Sequence, residues 1–120
     1  ALLDARRDEV YAGAYRWAGG DLEPHAETTA LPVDALPDWL GAVEGRLWLL
    51  GDGVAKSRAA LAPAADETTV LPTDEAAPSA AWVARRGRTR LERHGPDDRS
   101  SVEPLYVKDV HATPAPSPFA

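Results

Sequence analysis

The chain opens on Leu2 and Leu3, breaks into charge between Asp4 and Glu9, and then alternates. From Glu9 to Trp17, Val10, Ala12 and Ala14 fall on one side, with Tyr11, Tyr15 and Trp17 on the other. A period of two predicts a strand. Both of its sides are apolar enough to predict covering layers on each. The link Arg6-Arg7-Asp8 is short, so the first two strands are expected to form an antiparallel hairpin. Gly19-Gly20-Asp21 is a second turn signal. The polar, Thr-containing run His25–Thr29 predicts a third strand near a sheet edge.

The period then changes. Leu36, Leu40 and Val43 fall at helical spacing with Trp39 beside them, which predicts a helix within Pro32–Val43. Pro37 suits its first turn and Gly45 its stop. Arg46–Leu50 is a short, intensely apolar run that predicts a central buried strand. It leads into Gly51-Asp52-Gly53, a strand-to-helix turn, and then a helix over Val54–Leu61. Thr68–Leu71 predicts a further strand, ended by Pro72. Ser79, after Pro78, is an N-cap candidate for a helix reaching His94, with Gly95-Pro96 to stop it. Ala80, Ala84, Gly87 and Leu91 form a small-residue stripe that predicts close packing of this helix. Val102–Val107 is expected to be extended, and Thr113–Pro118 to be a mobile Pro-rich tail.

The resulting order is β-β-β-α-β-α-β-α with an extended tail, an α/β pattern. It is the order of the ribonuclease H-like fold, shared by each half of actin-like and sugar-kinase-like ATPases. Residues 1–110 are expected to form this lobe and residues 111–120 the tail.

Composition narrows the classes. At 120 residues and 44% apolar, the chain is sized for one folded domain. It has no cysteine, and His25, His94 and His111 are far apart, so no cofactor or metal ligand set is expected. No stretch approaches the ~18 apolar residues of a membrane span, and no signal-peptide pattern is seen. An apolar strand at the start and the absence of methionine predict a piece of a larger cytoplasmic protein that begins inside a fold. The net charge of -6 excludes nucleic-acid binding through the overall field. It leaves room for a local patch, and Arg85, Arg86, Arg88, Arg90 and Arg93 share one helix. They read either as a phosphate-contacting face or as a solvated helix face.

Two turns carry the remaining candidate chemistry. Asp4 and Asp52 are expected near the ends of the first and fourth strands, where ribonuclease H-type nucleases hold Mg2+. The plainer alternative is that Asp4 caps its turn and Asp52 the following helix. A two-metal site needs further acids, and none is well placed. Arg6 and Arg7 read as a fork-bearing patch for a partner's carboxylates or phosphates, or as turn residues paired with Asp4, Asp8 or Glu9. Trp17, Trp39, Trp48 and Trp82, with Tyr11 and Tyr15, read as core or lobe-contact residues. No Gly-x-Ser-x-Gly elbow, Walker loop or His-Glu-x-x-His motif is present.

Three separated stretches resemble one family. Asp4-Ala5-Arg6-Arg7-Asp8-Glu9-Val10-Tyr11 is similar to the opening of the C-terminal half of the TsaB family (older name YeaZ), where Gly often replaces Asp8. Gly51-Asp52-Gly53 is similar to that family's Gly-Asp-Gly-Ala turn. Val102-Glu103-Pro104-Leu105-Tyr106-Val107-Lys108 is similar to its Pro-x-Tyr-Leu-Arg segment, and Pro78-Ser79-Ala80 to a common helix start. The resemblance implies a non-catalytic subunit of the machinery that makes threonylcarbamoyladenosine in tRNA, supporting TsaD-like and TsaE-like partners. It implies that chemistry, metal and ATP belong to those partners, with tRNA contact indirect or weak and a homodimer as a further arrangement. Asp4, Arg6, Arg7, Glu9, Gly51, Asp52, Gly53, Arg85 and Arg86 are then interaction candidates. In actin-like ATPases the hairpin matching Asp4–Glu9 uses small residues to cradle phosphate. Ala5, Arg6 and Arg7 stand there instead, so ATP binding is not expected. The competing class is an enzyme: a minimal ribonuclease H-like nuclease or a degenerate phosphotransferase lobe.

Overall fold

The computed structural model describes residues 1–63, 68–72 and 77–108. Within them the chain is a mixed α/β fold. β1 (Leu2–Asp4), β2 (Glu9–Ala18) and β3 (Asp21–Pro32) come first. A 3-10 turn, Val33–Ala35, leads to α1 (Leu36–Gly41), β4 (Leu47–Leu49), α2 (Gly53–Leu61), β5 (Thr68–Val70) and α3 (Ala80–His94). This is the element order expected from the pattern. The first helix is shorter than expected for a local reason. Pro37 has no N–H to offer the Val33 carbonyl, so Leu36 N–H closes on it in the tighter 3-10 manner.

The first three strands form an antiparallel sheet ordered β1-β2-β3, with Leu2 opposite Ala12 and Glu9 opposite Pro32. β3 runs well beyond the expected His25–Thr29, and it is an edge strand as its polarity predicts. The β2–β3 register shifts around Ala14, which marks a bulge. β4 and β5 pair in parallel across the α2 crossover. Leu2 N–H donates to Leu50 C=O at 2.8 Å, and Asp4 N–H to the Asp52 carboxylate at 2.8 Å. The two contacts join β1 to the Leu50–Asp52 turn that follows β4, so the three-stranded and two-stranded sheets stay separate and abut at this turn.

The core lies on one side of these strands. Leu2, Val10, Ala12, Leu31 and Leu49 meet Leu36 and Leu40 of α1 and Val54 and Leu61 of α2. Each such leucine or valine, fully buried, contributes ~1.5–3 kcal/mol of transfer free energy. The expectation of two covering layers is not met among the described residues: Leu3, which alternates with buried Leu2, is exposed. Trp17 and Trp48, beyond the reach of the core helices, are 69% and 60% exposed. Both helices in the core pack on the same side, and α3 does not take the other. Of the two readings of the tryptophans, core or lobe contact, the core reading is corrected for Trp17, Trp48 and Trp82; Trp39 is half-buried against the core.

α3 departs furthest from expectation. It buries none of its residues. Arg86 pairs with Asp21 and donates to the Leu22 carbonyl, and Arg93 pairs with Asp21 at 3.5 Å. Residues seven apart share a helix face, so the Arg86/Arg93 face turns toward the β2–β3 turn. The Ala80/Ala84/Gly87/Leu91 stripe turns away from it. A methyl on Gly87 would have nothing within 4 Å. The stripe packs against nothing among the described residues because the helix is docked by its arginines. Ser79 does occupy the N-cap in an extended conformation, but its hydroxyl makes no capping bond. Gly95 ends the helix at φ 76, as its position predicts. Residues 102–107 have no regular secondary structure. The expected Pro-rich tail, with His111, lies outside the described residues.

Candidate functional site: a hairpin corner closed by two lysines

The β1–β2 turn is unusual in its backbone. Arg6 and Arg7 both lie in the left-handed region, at φ 68 and φ 50. Two left-handed residues suit a tight hairpin because the turn they make matches the right-handed twist of the strands, but residues with a Cβ lose about 1 kcal/mol or more each by adopting this conformation. Something must hold the turn. Part of the answer is local: the Asp4 carboxylate accepts from Arg6 N–H at 2.7 Å, so Asp4 does cap its turn.

The rest comes from α2. Lys56 Nζ donates to Asp4 Oδ1 at 2.5 Å, to the Arg7 carbonyl at 2.7 Å and to the Glu9 carbonyl at 3.1 Å. One ammonium thus uses its three donors on three oxygens of the turn. Lys108 closes the second side, donating to the Ala5 carbonyl at 3.1 Å and pairing with the Glu9 carboxylate. The Lys56 ammonium first, then the Arg6 N–H, hold the Asp4 carboxyl below the usual aspartate value.

Gly51 and Gly53 bring α2 to this position. Gly51 sits at φ 108 with the Leu2 carbonyl where a Cβ would go; even the Leu2 carbonyl carbon would be 3.0 Å away. A Cβ on Gly53 would lie 2.9 Å from the Leu3 carbonyl carbon. Only glycines let the turn press this closely on β1. Asp52 stands at the N-cap of α2, but its side chain makes no capping bond there. It accepts from Asp4 N–H on the next strand instead. The expected helix cap is therefore an inter-strand clasp. Buried Ser57 donates back to the Gly53 carbonyl at 2.8 Å, fixing the first turn.

Seven of the residues singled out from sequence meet here: Asp4, Arg6, Arg7, Glu9, Gly51, Asp52 and Gly53. The pairing foreseen for Arg6 and Arg7 does not occur. Their side chains are exposed and make no hydrogen bond or ion pair among the described residues, because lysines have taken Asp4 and Glu9. Arg85 and Arg86 lie apart on α3. Arg85 stacks over Trp82 at 5.3 Å, and Arg86 is engaged with Asp21. Among the described residues no three of His, Cys, Asp or Glu stand together as a ligand set.

Lys56 was not foreseen, and Lys108 was noted only as part of a motif. A signal was present: 13 basic residues include only these two lysines, the rest being arginines. An ammonium is a compact charge that can cap several carbonyls at once, whereas a guanidinium fork cannot fold under a tight turn. In an arginine-rich chain, lysine marks such places.

No protein-family model matches the chain, and no curated protein sequence matches it. No helix among the described residues is long and apolar enough to cross a membrane.

Proposed function

We propose that residues 1–110 form a ribonuclease H-like lobe, similar to the C-terminal half of TsaB, with residues 111–120 as a tail. On this reading it is a cytoplasmic, non-catalytic scaffold for TsaD-like and TsaE-like subunits that modify tRNA adenosine. It uses no cofactor of its own, and its tRNA contact is indirect or weak. One observation carries the reading. The three stretches on which the resemblance rests are far apart in sequence, yet they converge on one corner. Asp4 joins Asp52 at 2.8 Å, and Lys108 reaches Ala5 at 3.1 Å. Stretches matched by accident have no reason to interlock. An antiparallel β1-β2-β3 sheet followed by a parallel β4-β5 pair across a helix favours the same fold. Arg6 and Arg7, held outward by the lysines beneath them, are the interaction surface.

Retention on immobilised TsaD-like and TsaE-like subunits tests this. The chain is expected to be retained, and Arg6→Ala with Arg7→Ala to weaken retention about tenfold. Failure of the unmodified chain to bind either subunit overturns the scaffold reading.

The enzyme alternative has one observation in its favour, the adjacency of Asp4 and Asp52. Against it, Lys56 and Arg6 N–H already occupy Asp4 Oδ1. Mg2+-dependent cleavage of an RNA–DNA hybrid, lost in Asp4→Asn, would establish that alternative.

A further inference from the structure

The core of this lobe is open at one edge. Leu40 and Leu49, buried members of the core, also line a groove of about 670 Å³. Its other walls are Trp17, Leu22, Val43 and Trp48, between the end of α1 and the far half of the β2–β3 ribbon. The proximal half of that ribbon is covered by α1 and α2; among the described residues the far half meets no helix but α3, which buries nothing. We propose that the groove receives an amphipathic helix from another protein, with apolar residues inward and acidic residues flanking them. This inference does not rest on the scaffold or ribonuclease H-like readings.

Two observations select that occupant. The first is continuity. A groove floored by core leucines and walled by indoles is completed by an apolar helix stripe, as helix-in-groove recognition requires. The second is charge. The chain carries a net -6, yet the charged side chains lining the groove are Arg16, Arg46 and Arg86 against Glu44 alone. Arg86 is engaged with Asp21, while Arg16 and Arg46 make no ion pair among the described residues. The rim is locally cationic and calls for an anionic partner. It also excludes a second copy's α3, whose five arginines would meet Arg16 and Arg46 with like charge. α1 and α2 already spend their apolar faces on the core.

The probe is a synthetic helix of about four turns with Leu at i, i+3, i+4 and i+7 and Glu elsewhere, beside a twin with Lys for Glu. Binding to the full chain is read by tryptophan fluorescence and calorimetry. The Glu peptide is expected to bind at least about tenfold more tightly than the Lys twin. Arg16→Glu with Arg46→Glu is expected to reverse that order, and Trp48→Ala to weaken both peptides. Raising salt from about 0.1 M to 1 M on the unmodified chain weakens the Glu peptide, which keeps the test independent of how the variants fold. Equal binding of the twins, no binding, or tighter capture of an oligouridine strand overturns the proposal. So does self-association of the chain that buries Trp48.

Discussion

The hairpin corner and α3 both join basic side chains to aspartates, and they do so in opposite ways. At the corner, the Asp4–Lys56 pair is laid over packed structure: Gly51 and Gly53 touch β1, and Val54, Ser57 and Leu61 are buried. At α3, the Asp21 pairs with Arg86 and Arg93 hold a helix that buries nothing. The ion pairs look alike on paper. What separates the two regions is whether apolar surface lies beneath them, since exposed pairs alone contribute little. The corner is thus part of the fold, and α3 is an appendage tethered to it.

The largest test of that contrast is steric. Gly51→Ala puts a methyl onto the Leu2 carbonyl in a backbone conformation that alanine avoids. It is expected to lose about 3 kcal/mol or more, read as a lower midpoint in chemical denaturation. An unchanged midpoint would mean that β1 and the α2 turn are not pressed together. In α3 the matching change, Gly87→Ala, meets nothing and is expected to slow amide exchange within the helix, because alanine is the better helix former.

Lys56→Met comes next. It keeps the stem of the side chain and removes the ammonium from Asp4 and the two carbonyls. The carbonyl bonds alone account for a loss of about 1 kcal/mol. The left-handed Arg6–Arg7 turn should loosen with them, seen as faster amide exchange at Arg6 and Glu9. Lys56→Arg is expected not to restore the turn, since a planar fork cannot address all three oxygens. Full restoration by arginine would break the argument that an ammonium is needed.

Acid should distinguish the regions more finely. Asp4 and Asp21 both have folded pKa values below the usual 3.8. A depressed carboxyl gives stability that is present above the unfolded value and is lost as pH falls through the folded one. Their contributions are therefore whole above about pH 4 and are lost progressively below it. The causes differ in rank. For Asp4 the Lys56 hydrogen bond is largest; for Asp21 it is the N–H of neighbouring Leu22, ahead of Arg86 and Arg93. Carboxyl NMR titration is expected to show Asp4 rising further in Lys56→Met than Asp21 rises in Arg86→Ala. The reverse order would put the stronger cation coupling at α3.

What was legible in the sequence follows the same divide. Period-two alternation and turn residues marked β1 to β3, apolar spacing marked α1, and the Gly51-Asp52-Gly53 turn marked the start of α2, because burial and turn chemistry dictate those positions. The meeting of Asp4 with Gly51-Asp52-Gly53 was foreseen only as two neighbouring strand ends. That Asp52 would clasp Asp4 N–H, and that Lys56 would undercut the turn, depends on long-range register, which a one-dimensional pattern does not carry. The α3 stripe misled for a related reason. Small residues permit close packing, but nothing in their spacing requires it. Here Arg86 and Arg93 turn the helix the other way. The tryptophans misled because alternation assigns apolar residues to a face, not how far along the strand the covering helices reach.

The smallest expected effect is at the tether itself. Arg86→Ala with Arg93→Ala removes both guanidinium contacts to Asp21, whose partners are more than half exposed at 55% each. Global unfolding should not move, because exposed pairs of this kind are screened and the core lies elsewhere. Amide exchange along α3 should accelerate, while that of β1 and α2 stays as it was. Local opening without global loss is what an element lacking buried contacts predicts. If the double variant instead lowered the global midpoint as far as Lys56→Met, α3 would share the cooperative unit of the corner. The two regions would then differ in appearance alone.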